Sequence, residues 1–381
     1  MSVFKNRPAL RWLVPVAATA VVIGGGAAIG TLGAAADPAL PPRSAAQLLV
    51  DLQTAQVDGF SGTVVQRADL GLPALASLAG SGSSDLTALA SGTHTLRVWY
   101  AGPDRARVAL LGTLGESDFV RNGADLWTWR SQDNTATHYT LPGTAGQGPG
   151  TATGKIPAGL PSTPQEAADQ ALAAIDPSTE VTVGRAATIA GRHAYELILR
   201  PRDTTSLVDQ IRVAIDSREH VPLRFEVFAA GTEKPAFEMA FTQVDFDRPG
   251  DSHFTFNPPP GTQVTEGTDH PVRQKPRGDS AAPDGLSTVG TGWTTVLVGR
   301  PPAGGATGPA LGGAPAAGAA NGAPAELMNG LLDAFPKVSG DWGGGRLFTT
   351  KLVNVLLLDD GRVLAGAVTP QRLYEVAKGL N

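Results

Sequence analysis

The 381-residue chain contains no cysteine. This absence excludes disulfide bonds, thiolate catalysis and zinc sites with cysteine ligands, together with the lipid-modified N-terminal cysteine of a bacterial lipoprotein. Charged residues make up only 17% of the chain, and the formal net charge is −5. A nucleic-acid-binding surface requires a concentration of basic residues, so this charge balance argues against nucleic acid as a partner.

Motifs for catalysis and for metal binding are also missing. No two of the six histidines are spaced i, i+4, and there is no H-E-x-x-H motif. Ser61 lies in Gly59-Phe60-Ser61-Gly62, which is not the G-x-S-x-G nucleophile elbow. Gly154-Lys155 is followed by Ile156, where a phosphate-binding loop needs Ser or Thr. We therefore predict a protein that is not an enzyme and that uses no metal or cofactor.

The N-terminus has the features of an export signal. Lys5, Arg7 and Arg11 form a basic start, and the uncharged stretch from Trp12 ends at Ala34-Ala35-Ala36. This order of basic, apolar and small residues is typical of a signal peptide, although the stretch is also long enough to remain as a membrane anchor. We predict that residues 1–36 are one or the other. Both alternatives place the rest of the chain outside the cytoplasm, either secreted or anchored, in a periplasm-like space or at the cell surface.

Glycine and proline are abundant, at 47 and 30 residues, and their distribution divides the chain. A β-rich domain is predicted over 44–262, with an insertion at 69–91 that would act as a mobile lid. Residues 263–292 form a polar linker. The C-terminal extension 293–381 contains a Gly/Ala/Pro linker at 301–324 and a small hairpin and helix segment. This extension is too small to fold alone securely, so we expect it to dock on the main sheet or on a partner.

Local signals place two helices and many short strands in the main domain. Ser44 is predicted to cap a helix to Val57, and Thr163-Pro164-Gln165-Glu166 is a capping box that opens a helix to Ile175. Asn122-Gly123 is a strong hairpin turn. Close spacing of the strands implies an antiparallel sheet that curls. The predicted strands are 63–66, 95–100, 106–111, 117–121, 126–129, 135–141, 181–189, 193–199, 210–216, 223–228, 237–246 and 254–256; in the extension we predict strands 293–298, 347–358 and 363–368 and helices 325–335 and 369–378.

Alternation along these strands predicts one apolar and one charged face. With so few helices, three readings of the apolar face stay open: a filled core, a lipid-sized cavity and a surface for a protein partner. If it binds a ligand, the candidate residues are Leu96, Val98, Tyr100, Val108, Leu110, Trp127, Tyr195, Leu197, Leu199, Ile211, Val213, Ile215, Phe225, Val227, Phe237, Met239 and Phe241.

The order of four short motifs resembles that of LolA-like proteins. A helix followed by Gly59–Gln66 resembles the opening of that family, and Tyr100–Arg107 looks like its aromatic-x-x-Pro-Asp-Arg turn. Asn122–Trp129 is similar to its Asp-Gly-x-x-x-Trp-x-Tyr hairpin, and Ala194–Arg224 resembles the strand pair before its last sheet strands. The resemblance covers about Ser44 to Glu266. The same fold includes LolB and the RseB (MucB) regulators.

The resemblance implies an α+β fold in which a curved antiparallel sheet forms an incomplete, half-open β-barrel covered by helices. It implies that the concave apolar face binds acyl chains, so the chain would be an extracytoplasmic carrier or binder of lipid or lipoprotein. The alternative is an RseB-like envelope regulator that binds an anti-sigma factor or another envelope protein. The Ala/Gly/Pro-rich composition suggests a high-GC, actinobacterial-type source. The insertion and the extension depart from the compact carrier. The apolar face is therefore the only feature of the family's binding site that we expect in this chain.

Overall fold

The computed structural model describes residues 38–71, 89, 91–112, 115–141, 177–267, 286–300 and 335–380. The chain divides into two compact units. The first contains 1–200, 210–228 and 233–268, and the second contains 201–209, 229–232 and 269–381. Several predictions from the sequence lie outside the described residues: the N-terminal segment 1–36, most of the insertion 69–91, the helix at 163–175, the linker 301–324 and nearly all of the helix at 325–335.

In its described residues, the first unit contains one α-helix and a large sheet. Helix α1 (Ala45–Thr54) precedes thirteen strands in the described part of the chain. The strands are β1 (Phe60–Ala68), β2 (Gly92–Tyr100), β3 (Arg105–Leu111), β4 (Glu116–Asn122), β5 (Asp125–Arg130), β6 (Thr135–Thr140), β7 (Thr179–Val183), β8 (Ala187–Ile189), β9 (Arg192–Pro201), β10 (Val208–Asp216), β11 (Pro222–Ala229), β12 (Pro235–Asp245) and β13 (Gln263–Glu266).

The sheet is open and mostly antiparallel. Its strand order is β13-β6-β5-β4-β3-β2-β1-β12-β11-β10-β9-β7, with β8 also paired to β9. The two ends of this order do not pair, so the sheet is not closed into a barrel, and β13 alone of the registered pairs runs parallel to its neighbour, β6. Register shifts at Thr63/Val64 and Val227/Phe228 mark irregularities of the kind that bend a sheet. The predicted α+β, half-open architecture is confirmed.

Helix α1 begins where its capping residues predict. The Ser44 hydroxyl accepts the Gln47 N–H, and the Gln47 side chain accepts the Ser44 N–H, which completes a capping box. Leu48, Leu49 and Leu52 recur at helical spacing and are buried. The helix ends at Thr54, three residues before the predicted Val57.

Three sequence predictions in this unit differ from the structure. The predicted strand 181–189 is interrupted, because the Gly184 N–H bonds to the Glu196 carbonyl and the chain then shifts from β7 to β8. The predicted strand 254–256 is wrong, since Phe254 ends a short 3-10 helix that begins at Asp251 and buries the Phe254 ring. The polar segment 263–292 holds β13, which pairs with β6.

The second unit is built on a separate six-stranded sheet. Its strand order is β14-β15-β19-β18-β17-β16, and all registered pairs are antiparallel. The predicted single strand 347–358 is wrong: Thr350 turns the chain there, and its hydroxyl accepts the N–H groups of Leu352 and Val353. The elements are β14 (Leu286–Val289), β15 (Val296–Gly299), β16 (Lys337–Gly340), β17 (Gly343–Thr349), β18 (Asn354–Leu358), β19 (Val363–Gly366) and helix α2 (Pro370–Lys378).

This second unit has its own hydrophobic core. Leu373 of α2 is fully buried in one cluster with Leu356 and Leu364, and Trp342 stacks on Tyr374 with ring centroids 5.0 Å apart. Two loops that are remote in sequence complete the unit. In the loop 201–209, the Leu207 N–H bonds to the Ala367 carbonyl (2.8 Å), and the Thr205 carbonyl accepts the Thr369 N–H (2.9 Å); the Ala230 N–H, in the loop 229–232, bonds to the Leu207 carbonyl.

Candidate functional site

One face of the first sheet is continuously apolar across its central strands. Val64 of β1 lies opposite Leu96 of β2 on one side and opposite Phe241 of β12 on the other. Leu96 in turn lies opposite Leu110 of β3, so a row of apolar side chains crosses four strands. We call this side of β12, β1, β2 and β3 the apolar face, and the other side the polar face.

The central part of the apolar face is a filled core. Leu96, Val98 and Leu110 are at most 2% exposed. They belong to one cluster with Phe60 and Val64 of β1, which the sequence analysis did not include. The other predicted site residues in this cluster are Tyr100, Val108, Met239 and Phe241. At these positions the first of the three alternatives for the apolar face, a filled core, describes the structure.

Helix α1 covers a second group of predicted site residues. Leu48 and Leu49 are fully buried in a cluster with residues of β9 and β10, and the Tyr195 hydroxyl donates to the Pro41 carbonyl at 2.9 Å. A ligand would have to displace the helix to reach the fully buried residues of this cluster. The predicted residues that pack in this cluster are Tyr195, Leu197, Leu199, Ile211, Val213, Ile215 and Phe225.

Six of the predicted residues retain partial exposure and form a continuous strip. Leu199 lies opposite Ile211, Phe225 opposite Met239, and Val227 opposite Phe237. Phe225 joins these pairs, since it packs in the α1 cluster and its ring lies 6.3 Å from that of Phe237. We call the half-buried residues Leu199, Ile211, Phe225, Val227, Phe237 and Met239 the apolar strip.

A buried polar side chain borders the apolar strip. Gln66 of β1 lies opposite Met239 and is 1% exposed. Its Nε2 donates to the Leu89 carbonyl at 3.0 Å, and its Oε1 has no hydrogen-bond partner among the described residues. The sequence analysis missed Gln66; its place in the alternation Val64, Gln66, Ala68 was the signal that puts it on this face.

Trp127 does not join the other predicted residues. The register of β4 and β5 places it opposite Val120, so it lies on the polar face, while its neighbour Leu126 lies on the other side. Its ring stacks on His138 with centroids 4.3 Å apart and also contacts Phe256.

His138 ties three strands together at the edge of the sheet. Its Nε2 lies 2.9 Å from Asp125 Oδ1 of β5, and its Nδ1 lies 3.0 Å from Glu266 Oε2 of β13. Burial acts to lower the pKa of His138, but the hydrogen bonds and charges of the two carboxylates outweigh it and raise the pKa.

Several charges of the polar face are paired. Arg67 bonds to Glu238 at 2.8 Å, and Arg224 bonds to Glu196 at 2.8 Å. Glu226 is 8% exposed, and burial together with nearby carboxylates raises its pKa although Arg224 acts to lower it. Because these charges occupy the side opposite the apolar strip, only one side of the sheet is suited to a hydrocarbon ligand.

Metal and membrane-spanning features are lacking in the described part of the chain. No group of three or more histidine, aspartate and glutamate residues there could hold a metal ion. Neither of its helices has the length and hydrophobicity needed to cross a membrane.

Comparison with known proteins finds similar folds among solved structures. The complex of MucA and MucB from Pseudomonas aeruginosa contains a chain 15% identical to this one, with 87% of this chain and 96% of that chain covered and a TM-score of 0.41. An uncharacterized conserved protein from Thermus thermophilus is 12% identical, with 58% and 98% covered and a TM-score of 0.34. A LolA superfamily protein from Nitrosomonas europaea is 13% identical, with 56% and 99% covered and a TM-score of 0.19.

The predicted resemblance to LolA-like and RseB/MucB proteins is thus confirmed as a likeness to solved structures. No family model and no curated protein matches the chain. Function is therefore inferred from the residues of this chain.

Proposed function

We propose that this protein is a non-catalytic extracytoplasmic binder of lipid or lipoprotein acyl chains, and that the apolar strip is where they bind. The supporting observation is the partial exposure of six large apolar side chains that adjoin one another. Full burial of one such side chain is worth about 1.5–3 kcal/mol, so a hydrocarbon chain that covers several of them would gain substantial binding free energy.

The neighbouring residues limit where such a chain can lie. The fully buried residues of the central and α1 clusters are out of reach of a ligand, whereas the strip residues Leu199, Ile211, Phe225 and Met239 pack against these clusters and remain half-buried. Gln66 Oε1, which has no partner among the described residues, lies beside Met239 and would accept a hydrogen bond from a hydroxyl, amide or protonated carboxyl group of the ligand.

Adjacent residues on β9 provide a matched test of this proposal. Leu199 and Ile198 are both half-buried aliphatic residues but lie on opposite sides of the strand. We expect Leu199→Gln to weaken binding of a fluorescent fatty acid about tenfold, the equivalent of about 1.4 kcal/mol, and Ile198→Gln to leave it unchanged.

Native purification followed by lipid extraction and mass spectrometry gives an independent readout. Co-purifying acyl lipid supports the proposal. An empty protein that also fails to take up the fluorescent fatty acid refutes it, as does an equal effect of the two substitutions when both variants are folded.

A second candidate function, regulation through an envelope protein partner, is favoured by the second unit. On the side of its sheet opposite α2, Leu297 of β15 is 52% exposed beside Ala365, and the charged residues Arg346 and Lys337 lie on the same side toward the edge strand β16. If a protein partner docks on this side, Leu297→Asp should abolish a specific crosslink formed in cell envelopes, whereas Lys337→Asp on the edge strand β16 should retain it. A crosslinking pattern identical to wild type in the Leu297→Asp variant rejects this candidate.

A further inference from the structure

A cavity of about 470 Å³ opens on the polar face of the first unit, across β1, β2 and β12. Its charged and polar side chains alternate with those of the apolar face and so lie on the other side of these strands, whereas Val244 and Ala190 of its lining also pack against the central cluster. Its lining includes Ser61 and Thr63 of β1, Arg97 and Trp99 of β2, Asp245 of β12, and Ala190 of the turn between β8 and β9.

A β-bulge shapes the floor of the cavity. Thr63 lies opposite Gln243 but Val64 lies opposite Phe241, so Thr242 is an extra residue in β12. The Thr242 hydroxyl donates to the Thr63 carbonyl at 3.1 Å and fixes this irregularity. A bulge redirects the side chains that follow it, and here it aligns Asp245 with Ser61.

Fixed groups line the cavity. The Trp99 indole stacks on His253 with centroids 5.6 Å apart, and the Arg107 guanidinium lies 5.4 Å from its ring centre. Ala190 also lines the cavity; its φ of 50° and the φ of 75° at Gly191 are the values expected for the two-residue turn that joins β8 and β9.

The cavity presents one cation and one anion that are not paired. Arg97 is exposed and forms no hydrogen bond or ion pair with the described residues. The Asp245 carboxylate accepts the Asp247 N–H at 2.8 Å but has no cationic partner within the described ranges. Arg97 of β2 lies opposite Thr63 of β1, and Asp245 of β12 lies opposite Ser61 of β1. The two charges therefore lie on either side of β1, on strands about 9.5 Å apart.

We propose that this cavity binds a small zwitterion, with its oxyanion at Arg97, its ammonium group at Asp245 and its body beside Trp99. Opposite charges in one cavity favour a ligand that carries both signs over a simple anion or cation. The volume is within the range of small-molecule sites. Phosphoethanolamine has this chemistry, either as a free molecule or as a lipid headgroup. The proposal is independent of acyl-chain binding, because the two sites lie on opposite faces.

Isothermal titration calorimetry of the full-length protein tests the charge requirement. We expect saturable binding of phosphoethanolamine, and binding of inorganic phosphate or ethanolamine about tenfold weaker or worse, since each loses a charge-assisted hydrogen bond. Arg97→Gln and Asp245→Asn should each weaken phosphoethanolamine about tenfold. Asparagine retains the Oδ1 that accepts the Asp247 N–H, so the second variant changes charge and keeps the turn.

Arg130→Gln is the matched control, because Arg130 is an exposed arginine of β5 that pairs with Asp133 and takes no part in the cavity. It should bind phosphoethanolamine as wild type does. If titration with phosphoethanolamine gives no saturable heat, the proposed binding site is refuted. Equal affinity for phosphate and phosphoethanolamine, or an Asp245→Asn variant with wild-type affinity, overturns the zwitterion.

Vesicles distinguish the two sources of this headgroup. Arg97-dependent co-sedimentation with phosphatidylethanolamine vesicles, and not with phosphatidylglycerol vesicles, supports a lipid headgroup as the ligand. Binding of the free compound without vesicle binding supports a soluble ligand of the same chemistry.

Discussion

Leu48→Ala tests whether the α1 cluster is structural core or part of the ligand site. Leu48 is fully buried against residues of β9 and β10, and its loss leaves a cavity between the helix and the sheet. Leucine-to-alanine changes at such positions cost about 2–5 kcal/mol. On the same helix, Gln53 is exposed, and Gln53→Ala should change stability by less than about 0.5 kcal/mol.

Hydrogen exchange with mass spectrometry is the suitable assay, because a chain with two compact units need not unfold in a single step. If Leu48→Ala lowers the free energy of opening by about 2–5 kcal/mol, and the amides of β9 and β10 exchange only through that opening, then exchange in peptides of these strands becomes faster by a factor of about 30 or more. Fatty-acid binding should remain, since the apolar strip is not changed. The reasoning is refuted if Leu48→Ala leaves exchange unaltered, or if it tightens fatty-acid binding as removal of a cover would.

The remaining predictions concern three separate positions. In wild type, the ion pairs of His138 with Asp125 and Glu266 contribute fully to the stability of β13 below the ordinary histidine pKa of about 6.5. This contribution is lost as pH rises through the raised pKa of His138 in the folded state. His138→Gln should therefore make the hydrogen-exchange protection of β13 independent of pH. Gly62→Ala should make opening of β1 and β12 easier by about 1–3 kcal/mol, because its Cβ would lie 2.6 Å from a backbone carbonyl oxygen of β12. Gly250→Ala, with open space around it, should be neutral; hydrogen exchange in β1 and β12 measures both. Leu373→Ala should destabilise the second unit by about 2–5 kcal/mol, and the exposed Gln371→Ala should not, as read by exchange in β18 and β19.

Local chemistry allowed much of the first sheet to be predicted from the sequence. Ser44 and Gln47 specify the start of α1, and Asn122-Gly123 specifies a hairpin, in which Gly123 has the positive φ of 63° that such turns require. Alternation also placed residues such as Leu197 and Val213 correctly on one side of the sheet. In each case the determining contacts lie within a few residues of one another.

Longer-range features could not be predicted in this way. Whether an apolar residue is fully covered depends on which helix packs above it, so Leu197 under α1 and Phe237 in the strip look alike in sequence. Trp127 was misplaced because its aromatic character outweighed its alternation with Leu126. The turn at Thr350 lacks glycine and proline, and its side-chain bonds to Leu352 and Val353 replace them.

The backbone hydrogen bonds of the second unit join distant parts of the chain. This constrains when the unit can fold during synthesis and where the chain can be divided into fragments. Residues 201–209 emerge from the ribosome more than a hundred and fifty residues before Ala367 and Thr369, which they bond, so completion of this unit is a late, high-contact-order event. A fragment that begins at residue 269 lacks those partners and leaves the 367–369 backbone groups unpaired. The two units are therefore poor candidates for exchange as separate modules, and insertions or crossovers should be tolerated better in exposed loops than at the apparent boundary near residue 268.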